Sequence, residues 1–163
     1  MGLWVLLPCW VGFNILRESG IAWLLFVLLL VWCADIGAYF VGRNWGKRKL
    51  APRVSPGKSW EGVYGGLATT ALLAIAFAVG LSLDIAGSLT LVLVTAIVTL
   101  TSVLGDLLES MLKRHRNIKD SSQLLPGHGG VLDRIDSLTA AIPLFALFYL
   151  EVLVPVLAQG QPL

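Results

Sequence analysis

Carboxylates, cations and glycines crowd one polar segment of an otherwise apolar chain. The segment reads Ser110-Met-Leu-Lys113-Arg114-His115-Arg116-Asn-Ile-Lys119-Asp120, then Ser-Ser-Gln-Leu-Leu-Pro126-Gly127-His128-Gly129-Gly130-Val-Leu-Asp133-Arg134-Ile-Asp136. Just upstream, Asp106, Glu109, Ser110 and Lys113 follow i, i+3, i+4, i+7 spacing and so share one helix face. Two acids stacked one turn apart repel each other unless a cation lies between them. A metal ion is one such cation; a surface charge ladder neutralised by Lys113 and Arg114 is the other reading of the same face. Asp133 and Asp136 open the next helix, where the dipole favours a carboxylate, but that accounts for one acid more easily than for two around Arg134. The glycines around His128 let backbone approach a ligand closely and aim N–H groups at an anion. His128 alone reads more simply as a capping or solvated residue than as a catalyst.

Two further groups belong to the same chemistry. Asp35 follows the apolar run Leu24 to Cys33 and precedes Ile36-Gly-Ala-Tyr-Phe40. A carboxylate there is costly unless paired or hydrated. The sequence places it about one turn from the inner end of a span, either snorkelling toward Arg43 or at the mouth of a cavity. Ser55-Pro56-Gly57-Lys58-Ser59-Trp60-Glu61-Gly62 contains Gly-Lys-Ser, yet the position five before Gly57 is Pro52, so the P-loop pattern fails. What remains is a Pro56-Gly57 turn presenting Lys58 and Ser59 at a helix start, an arrangement that suits phosphate and also reads as an ordinary N-cap beside an interfacial Trp60. Several carboxylates with many cationic donors suit Mg²⁺ and substrate phosphates. Metal-assisted phosphoryl or nucleotidyl transfer is the reaction class they point to.

The elements that position these groups are membrane helices. The 163 residues are 56% hydrophobic and 13% charged, with a mean hydropathy of +0.81, about half the charge of a soluble domain. Spans need ~20 apolar residues, and the expected ones are 19–41, 63–81, 87–107 and 137–157, with residues 1–16 a shorter or tilted span interrupted by Pro8. An all-α, polytopic transmembrane helix bundle forming one integral-membrane domain over residues 1–163 is the expected fold. Ten of the twelve Lys and Arg fall in two segments, Arg43–Lys58 and Lys113–Lys119. Two antiparallel helices separate them, so both lie on one side, the cytoplasmic side by the positive-inside rule, in what would be a bacterial plasma membrane. Cys9 and Cys33 sit in apolar runs and read as buried thiols. The N-terminal run has no basic leader and reads as a membrane segment, not a signal peptide.

The pattern Ser110-x2-Lys113-Arg114-x4-Lys119-Asp120-x4-Leu125-Pro126-Gly127-His128-Gly129-Gly130-x2-Asp133-Arg134-x-Asp136 closely resembles the signature of the phosphatidate cytidylyltransferases, or CDP-diacylglycerol synthases. Asp35-Ile-Gly-Ala-Tyr-Phe40-Val-Gly-Arg43 and Ser55–Gly62 resemble that family too, so the likeness spans Asp35–Asp136 in order. It implies the reaction CTP + phosphatidic acid → CDP-diacylglycerol + pyrophosphate, with Mg²⁺. It implies Asp106, Asp133 and Asp136 as metal ligands, with Lys113 and Arg114 beside them in catalysis. Asp35, Lys58, Ser59, Ser110, Lys119, Asp120, His128, Gly129, Gly130 and Arg134 would contact or support the substrates, and Glu109 would support the site. The partners so implied are CTP, phosphatidic acid, the lipid bilayer and, as a homodimer, a second copy; nucleic acid is not among them. Family members usually carry additional N-terminal helices, so this chain resembles their C-terminal, motif-bearing portion. Related chemistry is the first rival: a CTP-dependent lipid kinase or an isoprenoid-lipid cytidylyltransferase. A small transporter or channel using Asp35 as a pathway acid, and an inactive truncated membrane subunit, are the others.

Overall fold

The computed structural model describes residues 2–116, 118 and 132–159, and for residues 132–134 and 159 it describes the backbone alone. Helix α1 (Gly2–Ser19) is followed by α2 (Ile21–Trp45), strands β1 (Lys49–Ala51) and β2 (Ser55–Ser59), then α3 (Trp60–Gly80) and α4 (Ile85–His115). Helix α5 (Leu132–Phe148) passes through one π turn (Tyr149–Leu153) into α6 (Val154–Gln159). Among the described residues, four helical stretches are long and apolar enough to cross a membrane: Ile21–Trp45, Trp60–Gly80, Ile85–His115 and Ile135–Ala158. The protein is an all-α, polytopic membrane helix bundle carrying one small β-ribbon.

Lipid tails are as apolar as leucine, so helices in a bilayer gain little from hiding leucine and must gain from close contact. The α2–α3 pair is built that way. A Cβ added to Gly62 would sit 2.9 Å from the Ala38 carbonyl oxygen, and one on Gly66 would sit 3.0 Å from that of Ala34. The Thr69 hydroxyl lies 2.9 Å from the Cys33 carbonyl across the same seam. Gly20, between α1 and α2, has φ 135°, a conformation that only glycine adopts readily, and the chain reverses there. Pro8 lies within the second turn of α1 without ending it.

Helix length decides where the polar groups fall. At 1.5 Å per residue the 31 residues of α4 extend for ~46 Å, against ~30 Å of hydrocarbon. Its surplus lies at the C-terminal end, beyond about Gly105, where the charges begin. Helix α2 continues to Trp45, past the Val41 limit expected from sequence. Asp35 therefore stands ten residues, ~15 Å, before the helix end, deeper than the one turn expected. The β-ribbon was also not foreseen. Its turn falls at residues 52–54, Pro56 and Gly57 belong to β2, and the antiparallel register pairs Lys49 with Ser59 and Ala51 with Ser55. Ser59 closes the strand and caps α3, its hydroxyl accepting from the Gly62 N–H at 3.2 Å.

Candidate active site

Three helices and the ribbon bring charges to one end of the bundle around a cavity of about 300 Å³. Asp35 of α2, Lys58 and Ser59 of β2, Asp106 of α4 and Ser137 of α5 line it, with Thr99 on the same α4 wall. Asp35 lies within the electrostatic reach of Asp106, Asp136 and Lys58 together, so acids far apart in sequence share one field. Lys58 forms an ion pair with Asp106. The other Asp106 oxygen, Oδ1, accepts from the Ser110 hydroxyl at 3.3 Å. The charge ladder expected on α4 is thus divided: Asp106 is neutralised from the ribbon, while Lys113 Nζ pairs with Glu109 at 3.5 Å.

Close packing of α4 on α5 sets the spacing of the acids. A Cβ on Gly105 would lie 2.7 Å from Ala140 Cβ and 3.8 Å from the Asp136 carbonyl oxygen. Only a residue without a side chain lets the Asp106 turn approach the Asp136 turn so nearly. Asp136 Oδ1 accepts from the Ser137 N–H at 2.7 Å. Glu109 interacts with Asp136 across this seam as well as with Lys113, and both of its carboxylate oxygens are buried. Two carboxylates facing one another are stable only with a proton or a cation between them.

The acids crowded at this seam suit Mg²⁺ chemically, since a divalent ion needs oxygen ligands and its charge would relieve their repulsion. Among the described residues no group of three acidic, His or Cys side chains is tight enough to hold an ion unaided. Substrate phosphate oxygens commonly complete such a sphere. The Asp133 and Arg134 backbones lie in the first turn of α5; their side chains, and the expected ligands Lys119, Asp120, His128, Gly129 and Gly130, lie outside the described residues.

Two contacts were not anticipated. Arg43 donates from Nη1 to the Tyr39 hydroxyl at 2.8 Å and stands 5.9 Å from the Tyr39 ring centroid, instead of reaching back to Asp35. Tyr39 lines the cavity, so this ties a cation to one of its lining side chains. The i, i+4 spacing of the two residues was the available signal. Arg114 Nε reaches the Val54 carbonyl at 3.5 Å, tying the end of α4 to the ribbon turn; nothing in the local sequence foretells that contact.

A polytopic membrane bundle with a cavity of mixed charge at the ends of its helices is the class these observations define. The chain belongs to the cytidylyltransferase family, whose pattern matches residues 3–152. It is similar to the phosphatidate cytidylyltransferase of Pseudomonas aeruginosa, 62% identical over 148 residues, which cover 90% of this chain and 55% of that protein. Over 137 residues it is 59% identical to the Haemophilus influenzae protein of the same name (82% of this chain, 48% of the other). It is 44% identical to the Bacillus subtilis one, again over 137 residues (82% of this chain, 51% of the other). The chain spans about half the length of these curated relatives.

Proposed function

We propose that this chain carries the catalytic half of a phosphatidate cytidylyltransferase, joining CTP and phosphatidic acid into CDP-diacylglycerol and pyrophosphate at the cytoplasmic face of a bacterial plasma membrane. The observation that supports this most is the convergence of Asp35, Asp106 and Lys58 from separate elements on one cavity, with Asp136 within electrostatic reach of Asp35. A phosphatidate phosphate oxygen forms the new bond to the α-phosphorus of CTP, and the bond from that phosphorus to the bridging oxygen of pyrophosphate breaks. A phosphate monoester is largely ionised at pH 7, so the protein's task is to position and neutralise, not to remove a proton.

Both reactants are anions, and their repulsion grows as water is excluded. Lys58, held at the cavity by Asp106, is placed to meet phosphate oxygens. Arg43, held by Tyr39, supplies a second cation nearby, and Ser59 lines the cavity beside Lys58. Asp106, Asp133 and Asp136, with substrate phosphate oxygens completing the sphere, would hold Mg²⁺, which when bound supplies charge neutralisation and polarises the phosphoryl oxygens. Tyr39 and Phe40 are both exposed on α2. On this reading the acyl chains stay in the bilayer beside them while the head group enters the cavity.

The test is to incubate membranes containing the chain with labelled CTP and phosphatidic acid, with and without Mg²⁺, and to identify the lipid product. CDP-diacylglycerol that requires Mg²⁺ and disappears in Asp133→Asn supports the reading. Turnover that survives either change removes the metal role, and a phosphorylated lipid in place of a cytidylylated one assigns the site to a lipid kinase.

A further inference from the structure

A second cavity, of about 500 Å³, lies at the same end of the bundle and shares no lining residue with the first. Its walls are Lys47, Arg48, Trp60, Glu61 and Tyr64. Trp60 and Tyr64 stand one turn apart on the outer side of α3, 47% and 63% exposed. Helix α3 is 21 residues long, or ~31 Å, which matches the hydrocarbon thickness. Its first turn therefore sits at the level of the lipid head groups, where indole and phenol rings are most at ease. Lys47 and Arg48, from the loop after α2, reach the same level.

The wall is built rather than incidental. The Glu61 carboxylate accepts from the Arg48 main-chain N–H at 3.3 and 3.2 Å, and the Trp60 N–H donates to the Arg48 carbonyl at 3.0 Å. These bonds lock the cationic loop onto the aromatic turn through its backbone and leave the Lys47 and Arg48 side chains to face outward. Two cations against one carboxylate give the cavity a positive balance at head-group level. Cations beside amphipathic rings at head-group depth match a phosphodiester with its glycerol attached; a bare phosphate ion would gain nothing from the rings.

We infer that this cavity is a binding site for the head group of an anionic phospholipid from the surrounding leaflet, separate from the catalytic cavity. The occupant is a membrane lipid and not a reactant, so the site is independent of the reaction proposed above. Each cation near an anionic membrane surface strengthens association by about fivefold.

The experiment places the full chain in phosphatidylcholine nanodiscs containing a minor share of phosphatidylglycerol, without CTP. Lipids retained after mild delipidation are counted by native mass spectrometry. Lys47→Gln should lower phosphatidylglycerol retention about fivefold and Lys47→Gln/Arg48→Gln about twenty-fivefold, with phosphatidylcholine unchanged. Both substitutions leave the Glu61 bonds to the main chain in place, so melting temperature should hold. Arg53→Gln, an exposed ribbon-turn cation that does not line the cavity, should leave retention unaltered. Equal loss in Arg53→Gln would reveal a diffuse basic surface and overturn the site, as would unchanged retention in the double variant. Inorganic phosphate and water-soluble glycerophosphoglycerol form the second arm. Displacement of the lipid by phosphate at equal concentration would assign the cavity to free phosphate and overturn the lipid reading.

Discussion

At the end of the bundle away from the cavity, Trp23, Phe26, Phe77, Phe145 and Tyr149 interlock with ring centroids 4.5 to 6.5 Å apart. Phe26 and Phe145 are completely enclosed. At the cavity end, Asp35 of α2, Asp106 of α4 and Lys58 of β2 stand around open space, with Asp136 of α5 within electrostatic reach of Asp35. Aromatic side chains give large contact areas in few torsions, which matters in a bilayer, where packing is the main cohesive force between helices. Acids and a lysine around a void add little cohesion and cost desolvation. The tight end thus fixes helix angles that the loose end needs but cannot supply, and stability and chemistry should separate along the length of α2 and α5.

Substitution at the charged end should give the largest change. Asp106→Asn removes one partner of Lys58 and one candidate Mg²⁺ ligand, and labelled-CTP turnover should fall by ~10²–10³, with a melting temperature in detergent close to that of the parent. A fall in turnover matched by collapse of the fold would show that the ion pair holds the bundle, and the division between the two ends would fail. Phe145→Ala tests the opposite end. Loss of a fully enclosed ring should cost ~3 kcal/mol of stability, read from detergent-dependent unfolding, while turnover per folded molecule stays near the parent value. Gly105→Ala lies between these. Its new methyl would press on Ala140 Cβ and separate the Asp106 and Asp136 turns. A misplacement of about 1 Å can cost ~10²-fold in rate, so turnover should drop by ~10–100-fold with a modest change in melting temperature.

The long helices were legible because a bilayer demands ~20 apolar residues and little else can supply them. The acids were legible for the converse reason: Asp35 and Asp106 stand out against their apolar surroundings. Partnerships across elements were not. Lys58 and Asp106 are 48 positions apart, and whether Asp106 is met by Lys58 or by its own-helix Lys113 depends on where the ribbon lies. The ribbon itself is short, and Ser55-Pro-Gly-Lys-Ser59 has neither alternating polarity nor strand-forming residues, so its turn was assigned to Pro56-Gly57 and not to residues 52–54. Asp35 was placed too near the helix end because the polar residues Gly42 to Trp45 read as loop. Backbone hydrogen bonding carries α2 through them, the Gly46 N–H still donating to the Gly42 carbonyl at 3.0 Å.

The finest test of the division is a hydroxyl midway between the ends. Thr70 is fully buried on α3, and its Oγ1 lies 3.1 Å from that of Thr99 on α4. Thr99 lines the cavity and Thr70 does not, so the pair marks the border of the polar region. Inter-helix hydrogen bonds within membranes average ~0.6 kcal/mol, partly because each threonine also bonds its own helix, as Thr70 does to the Gly66 carbonyl at 3.0 Å. Thr70→Val should therefore lower stability by ~0.6 kcal/mol, measured in a double-mutant cycle with Thr99→Val, and change turnover less than twofold. A tenfold loss of turnover in Thr70→Val at unaltered stability would extend the chemically active region deeper into the membrane. The boundary between the two ends would then fall at the aromatic cluster and not at Thr99.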